Sequence, residues 1–129
     1  MTITLMKSTK GKVSGGYLHI PWKNDSSYYC KDEKAFIFSL NEKLVLKPTN
    51  PDKAIYFYKS SGPNFGYCSL NVWTATKMNQ DRNCYSYTLG HKGEEWYNVP
   101  VDPEGNSVLS GEKREFTLEA METWAVEYE

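Results

Sequence analysis

The feature that most restricts this chain is the brevity of its apolar runs, each of which ends within a few residues at Gly, Pro or a polar cluster. A helix needs a 3.6-residue period sustained over about ten residues or more, whereas a strand needs only about four to eight. Ile3 and Leu5 alternate with Thr2 and Thr4, and Lys10-Gly11 offers a tight turn before Lys12 to Ile20. That arrangement predicts a β-hairpin. Ala35 to Leu40 is a nearly continuous apolar run between charged residues, the pattern of a strand buried on both faces. Asn41-Glu42 turns the chain ahead of Lys43 to Leu46, Pro48 and Pro51 interrupt regular structure, and Ala54 to Tyr58 resumes it.

Cys68, Leu70 and Val72 then alternate with Ser69, Asn71 and Trp73, which suits a sheet with two chemically different faces. Arg114 to Leu118 and Glu122 to Tyr128 are further strand candidates, with Trp124, Val126 and Tyr128 on one face of the last. Leu118 to Trp124 reads alternatively as a short helix, because Glu119, Ala120, Met121 and Glu122 all favour one. Loops are expected near residues 23 to 33, 47 to 53 and 74 to 83. Short strands separated by turn signals predict a mainly β fold, an antiparallel sandwich with one or two short helices. The aromatic content of 15% agrees, since flat side chains pack well across a pleated surface.

At 129 residues, with no internal repeat or low-complexity tract, residues 1 to 129 read as a single domain. A net charge of -1 gives no overall field for nucleic acid or an anionic membrane. No apolar run approaches the roughly 20 residues that span a bilayer, and the first residues lack a basic then apolar leader. Membrane insertion is not expected, and a cytoplasmic location is. Cys30, Cys68 and Cys84 are odd in number and widely spaced, so reduced thiols are expected rather than a disulfide framework. Asn24-Asp25-Ser26 matches a glycosylation sequon, which has no consequence without a secretory route.

Few residues point to catalysis. His19 and His91 lie in no metal-ligand spacing, so no metal or other cofactor is expected. No Gly-Xaa-Ser-Xaa-Gly elbow surrounds Ser14 or Ser61, and Lys10-Gly11-Lys12 is not a phosphate-binding loop. Cys30 beside Lys31 is the thiol to test, because a nearby cation stabilises a thiolate. Glu94-Glu95 and Glu119 read as solvated acids, while Glu122 among apolar neighbours calls for an ion pair. Lys7, Lys10 and Lys12 around one hairpin, beside Tyr17 and Trp22, form a small basic and aromatic cluster suited to an acidic protein surface rather than to nucleic acid. Gly15, Gly16, Gly62 and Gly66 mark close backbone approach or positive φ, with Pro63 pre-setting a turn.

Several segments in order resemble the TLDc domain family, found in oxidation-resistance proteins, in a nuclear-receptor coactivator and in some proteins with a Rab-GAP domain. Thr4 to Gly11, Gly15-Gly16-Tyr17 and Pro21-Trp22 are similar to the family's opening hairpin. Lys34 to Leu40 resembles its central buried strand, and Gly62-Pro63-Asn64-Phe65-Gly66 its glycine-flanked turn. Leu109-Ser110-Gly111, Phe116 and Met121 to Val126, with Glu122 and Trp124, resemble its closing strand. The resemblance implies an N-terminally incomplete domain, because family members usually carry further structure before the point that Thr4 matches. Tyr67-Cys68-Ser69 stands where the family often has an acidic residue.

The resemblance implies a non-catalytic protein-interaction domain linked to oxidative-stress protection and to vacuolar-type proton ATPase subunits. Contact residues are then expected at Lys10, Lys12, Tyr17, Trp22, Asn64 and Phe65, in the hairpin and the glycine-flanked turn. Two alternatives stand beside it. One is a structural component of a larger assembly, joined through an uncovered sheet edge or apolar face. The other is a thiol-based antioxidant enzyme using Cys30.

Overall fold

The computed structural model describes residues 1–22, 27–58, 62–66, 69–72, 84–86 and 96–127. Two antiparallel sheets pack face to face. The first holds β1 (Thr2–Ser8), β2 (Val13–Leu18), β4 (Phe36–Ser39), β5 (Leu44–Leu46) and β11 (Leu118–Ala125), in the order β11-β1-β2-β4-β5. The second holds β3 (Tyr28–Cys30), β6 (Ile55–Phe57), β7 (Asn64–Phe65), β8 (Leu70–Val72), β9 (Cys84–Tyr85) and β10 (Glu115–Phe116), in the order β10-β9-β8-β7-β6-β3. Among the described residues the one helical element is a 3₁₀ turn, Pro51–Lys53, capped by the Asn50 side chain, which accepts from the Asp52 amide.

The opening hairpin forms as expected. Gly11 takes φ 79°, and β1 pairs with β2 from Thr2↔Leu18 to Lys7↔Val13. Period-2 alternation divides each strand into two faces, and the one toward the second sheet enters the sandwich. Met6, Leu18 and Ile37 point inward with Thr4, Ser14, Gly16 and Ser39, and all seven are buried. Small residues suffice on this inner face because the opposing sheet supplies large ones: Ile55, Phe57, Phe65, Leu70 and Phe116.

The paired glycines show the fit at atomic scale. A Cβ on Gly16 would stand 2.6 Å from Cε1 of Phe65, so the absent side chain is the space the ring fills. Gly15, one residue earlier, faces the other way, and a Cβ there would stand 2.9 Å from Cζ of Phe38. Each glycine therefore receives an aromatic ring on its own side of the sheet.

Several elements differ from the sequence reading. Tyr28–Cys30 is a strand within the stretch expected as a loop, held by pairing with Ile55 to Phe57 rather than by any signal of its own. Asn64–Phe65, expected as the centre of a turn, is a short strand, and only Gly66 of its flanking glycines takes positive φ, at 64°. Leu118–Ala125 is a strand, not the alternative helix, because seven residue pairings along β1 outweigh a modest helical preference. Phe36–Ser39 is buried on both faces, as expected, with Ile37 and Ser39 inside and Phe38 outside; Phe36 is partly exposed, and Leu40 lies beyond the strand in the following turn at 56% exposure. Cys68, Trp73 and the loop at 74 to 83 lie outside the described residues, as do the sequon and Glu94-Glu95.

Candidate functional site

The outer face of the five-stranded sheet is apolar. Register places Trp124, Ile3, Tyr17 and Phe36 in one cross-strand row and Glu122, Leu5, Gly15, Phe38 and Val45 in the next. Tyr17 stacks on Phe36 at 5.2 Å between ring centroids, and Phe36 lies 6.3 Å from Phe38. These contacts and Gly15's missing side chain bury Tyr17 and Phe38 within their own sheet. The margins of the face stay open: Trp124 is 58% exposed on β11, and Val45 is 60% exposed on β5. Near β5 the surface dips into a shallow groove of about 300 Å³, lined by Ile3, Phe36, Phe38, Leu40, Leu44 and Val45. Apolar surface concentrated on one face is the kind of surface that interaction sites use.

The electrostatics elsewhere are structural. Asp32 is buried, and its carboxylate accepts from the amides of His19 (2.8 Å), Ile20 (3.3 Å) and Lys34 (3.0 Å), tying β2 to the chain after β3. Burial lifts the Tyr97 phenol well above its ordinary range, with the Asp32 charge adding to it, and the neutral hydroxyl donates to the Ala54 carbonyl at 2.9 Å. Backbone donation from Asn106 holds the Asp102 carboxyl below its usual range. Asp102, Glu104 and Asn106 thereby form a closed turn.

The residues expected to form a contact cluster are dispersed. Lys10 and Lys12 sit at the hairpin turn, with Lys10 paired to Glu112 at 3.8 Å, whereas Tyr17 pairs with Ile3 at the far end of the same strands. Trp22 donates its indole N–H to Thr2 at 3.0 Å and packs edge-on against Phe57 and Phe65, closing one end of the core. Asn64 and Phe65 are fully buried. Tyr17, Asn64 and Phe65 are thus packing residues in this fold rather than exposed contacts. Of the structural set, Gly15 and Gly16 admit rings, Gly66 supplies positive φ, and Gly62 with Pro63 docks on β8 through Gly62 N–H to Val72 O and Val72 N–H to Pro63 O.

Glu122 has no cationic partner among the described residues, so the expected ion pair is replaced by a hydrogen bond from the Trp124 indole at 3.1 Å. Glu119 pairs with Lys7 at 3.6 Å. Cys30 points toward the core from β3 and is half-buried. Its neighbour Lys31 is drawn to Glu33 at 3.0 Å and Asp52 at 4.0 Å, and the Glu33 hydrogen bond, then the two acidic charges, raise the ammonium's pKa. That cation is engaged by carboxylates. His19 shares a 3.1 Å hydrogen bond with the Tyr17 hydroxyl, while His91 and Cys68 lie outside the described residues. No group of three or more His, Cys, Asp or Glu among the described residues is arranged to hold a metal ion.

Of the residues at the outer face, Ile3, Phe36, Leu40 and Val45 escaped the sequence reading as a site, and Trp124 entered it only as part of the closing-strand motif. A signal existed: in β1 and β4 the residues alternating with core positions are themselves apolar, which a one-faced solvent-exposed sheet does not need.

Fold and surface define an all-β sandwich that presents an apolar sheet face. The TLDc domain family matches residues 1–127, and the chain belongs to that family. Neither a curated protein nor a solved structure matches the chain. No helix among the described residues is long and apolar enough to cross a membrane.

Proposed function

We propose that this TLDc domain is a non-catalytic protein-interaction module whose contact surface is the outer face of the five-stranded sheet. The observation that carries the reading is the pair of open apolar margins of that face, Trp124 on β11 and Val45 on β5, with Ile3, Phe36 and Leu40 along the groove between them. Rigid aromatics held by a sheet provide anchors that lose little entropy on binding. The family resemblance makes a vacuolar-type proton ATPase subunit the first partner to test, in the cytoplasm. Protection against oxidative stress would then follow from the partner rather than from turnover by this domain. Thiol catalysis at Cys30 has weaker support, since the thiol faces inward and the adjacent cation is held by two acids.

The test is an affinity pull-down at moderate salt with the chain as bait, beside a Val45→Glu, Trp124→Glu double variant shown by circular dichroism to be folded. Vacuolar ATPase subunits retained by the wild type and lost by the variant are the expected result. A folded wild type that retains none of them removes this partner. Equal retention by the variant moves the contact surface elsewhere.

A further inference from the structure

The same face carries both halves of a self-complementary contact. At its β11 margin Trp124 projects, 58% exposed, with its indole N–H on the Glu122 carboxylate. At its β5 margin lies the apolar groove, with Lys43 on the rim. Glu122 and Lys43 form no ion pair among the described residues. Knob and acid stand on β11, whereas Lys43 and Val45 stand at the β5 side, about four strand spacings or roughly 19 Å away, and the groove runs inward from there as far as Ile3 on β1.

We propose that a second copy of this chain docks on this face, related by a two-fold axis parallel to the strands. That axis turns one face onto the other while exchanging its ends. Each Trp124 then enters the partner's groove, and each Glu122 meets the partner's Lys43. An axis perpendicular to the strands in the plane of the face would instead set Glu122 on Glu122 and leave both grooves empty, so charge and shape select the first. The pairing is isologous and closes as a dimer. Five strands at about 4.8 Å spacing offer on the order of 500 Å² per copy, which brings the total to the order of 1,000 Å² that a specific interface needs. The proposal rests on the reading of this face as an interaction surface. It adds that the free domain caps the face with itself, so that a heterologous partner competes with self-association.

The experiment is sedimentation velocity over a concentration series with the full chain, its Glu122→Lys and Lys43→Glu variants, and their equimolar mixture. The wild type is expected to dimerise, and each variant to dimerise at least about tenfold more weakly, since two like-charged contacts replace two attractive ones. The mixture is expected to recover wild-type association. In the mixed dimer the introduced lysine of one variant meets the introduced glutamate of the other, and the native acid and base form the second contact. A wild type monomeric at the highest soluble concentration overturns the proposal, as does a dimer indifferent to both substitutions. Rescue of Glu122→Lys by wild type rather than by Lys43→Glu overturns the stated axis. A monomeric chain that still binds the ATPase subunits through Trp124 sinks self-association alone; a dimer that binds none of them sinks the partner assignment alone.

Discussion

The two faces of the five-stranded sheet have exchanged the chemistry usually assigned to them. The inner face buries Thr4, Ser14, Gly16 and Ser39 among its few large apolar residues, while the outer face carries Trp124, Ile3, Phe36 and Val45. The inner face tolerates small polar groups because the facing sheet brings the volume, with Phe57, Phe65 and Phe116 all buried. Local bonds also satisfy some of the hydroxyls: Ser8 donates to the Ser110 carbonyl at 2.6 Å, and Ser39 accepts from the Glu42 amide at 3.1 Å. The outer face has no opposing sheet to fill its space, so its rings pack sideways on each other and on Gly15. Burial depends on what stands opposite a residue, not on its hydrophobicity alone.

The contrast is broken most severely by removing what fills the inner face. Phe65→Ala leaves a ring-sized void over Gly16 and should cost about 3–5 kcal/mol, read as a lowered urea midpoint. Gly16→Ala tests the same contact from the other side, and its methyl group against Phe65 should cost about 1–3 kcal/mol. Combining Gly16→Ala with Phe65→Leu should cost less than the sum of the two, because they share one space; strict additivity in a double-mutant cycle would break the proposed fit.

Tyr97→Phe, which removes a single buried hydrogen bond to Ala54, should cost about 1 kcal/mol near neutral pH. Its pH dependence sharpens the point. With the phenol pKa raised in the fold, Tyr97's contribution is complete below the ordinary value of about 10 and is lost as pH rises toward the folded value. Wild-type stability should therefore fall above about pH 10, and the Phe variant should fall less steeply. Identical alkaline limbs in a pH series of urea titrations would remove Tyr97 from that account.

The smallest expected effect lies on the outer margin. Trp124→Ser, measured at a concentration where the chain is monomeric, should shift stability by no more than about 0.5 kcal/mol. A loss as large as that of Phe65→Ala would mean that the indole belongs to the core, and the distinction between the faces would collapse.

Much of the fold was legible because its signals were local. The hairpin turn at Lys10-Gly11, the alternation around Leu70 and Val72, and the breaks at Pro48 and Pro51 each fix backbone geometry within a few residues. Tyr28–Cys30 was not legible, since its strand state comes from pairing with Ile55 to Phe57, residues far along the chain. The burial of Tyr17, Asn64 and Phe65 was not legible for a related reason. Phe65 beside two glycines looks like an exposed turn residue, and only the opposing Gly16 makes its position a cavity of the right shape. Trp22 near the lysines in sequence is separated from them by the length of the hairpin.

The sequence by itself determined that this chain builds antiparallel sheets from short strands and belongs with TLDc domains, because periodicity, turn chemistry and motif spacing are properties of neighbouring residues. Which face of each strand is inside, why Gly15 and Gly16 stand side by side, and where an apolar surface meets solvent were decided only by the tertiary structure. A period-2 pattern divides a strand into two faces without ranking them; the second sheet ranks them by occupying one side and leaving the other open.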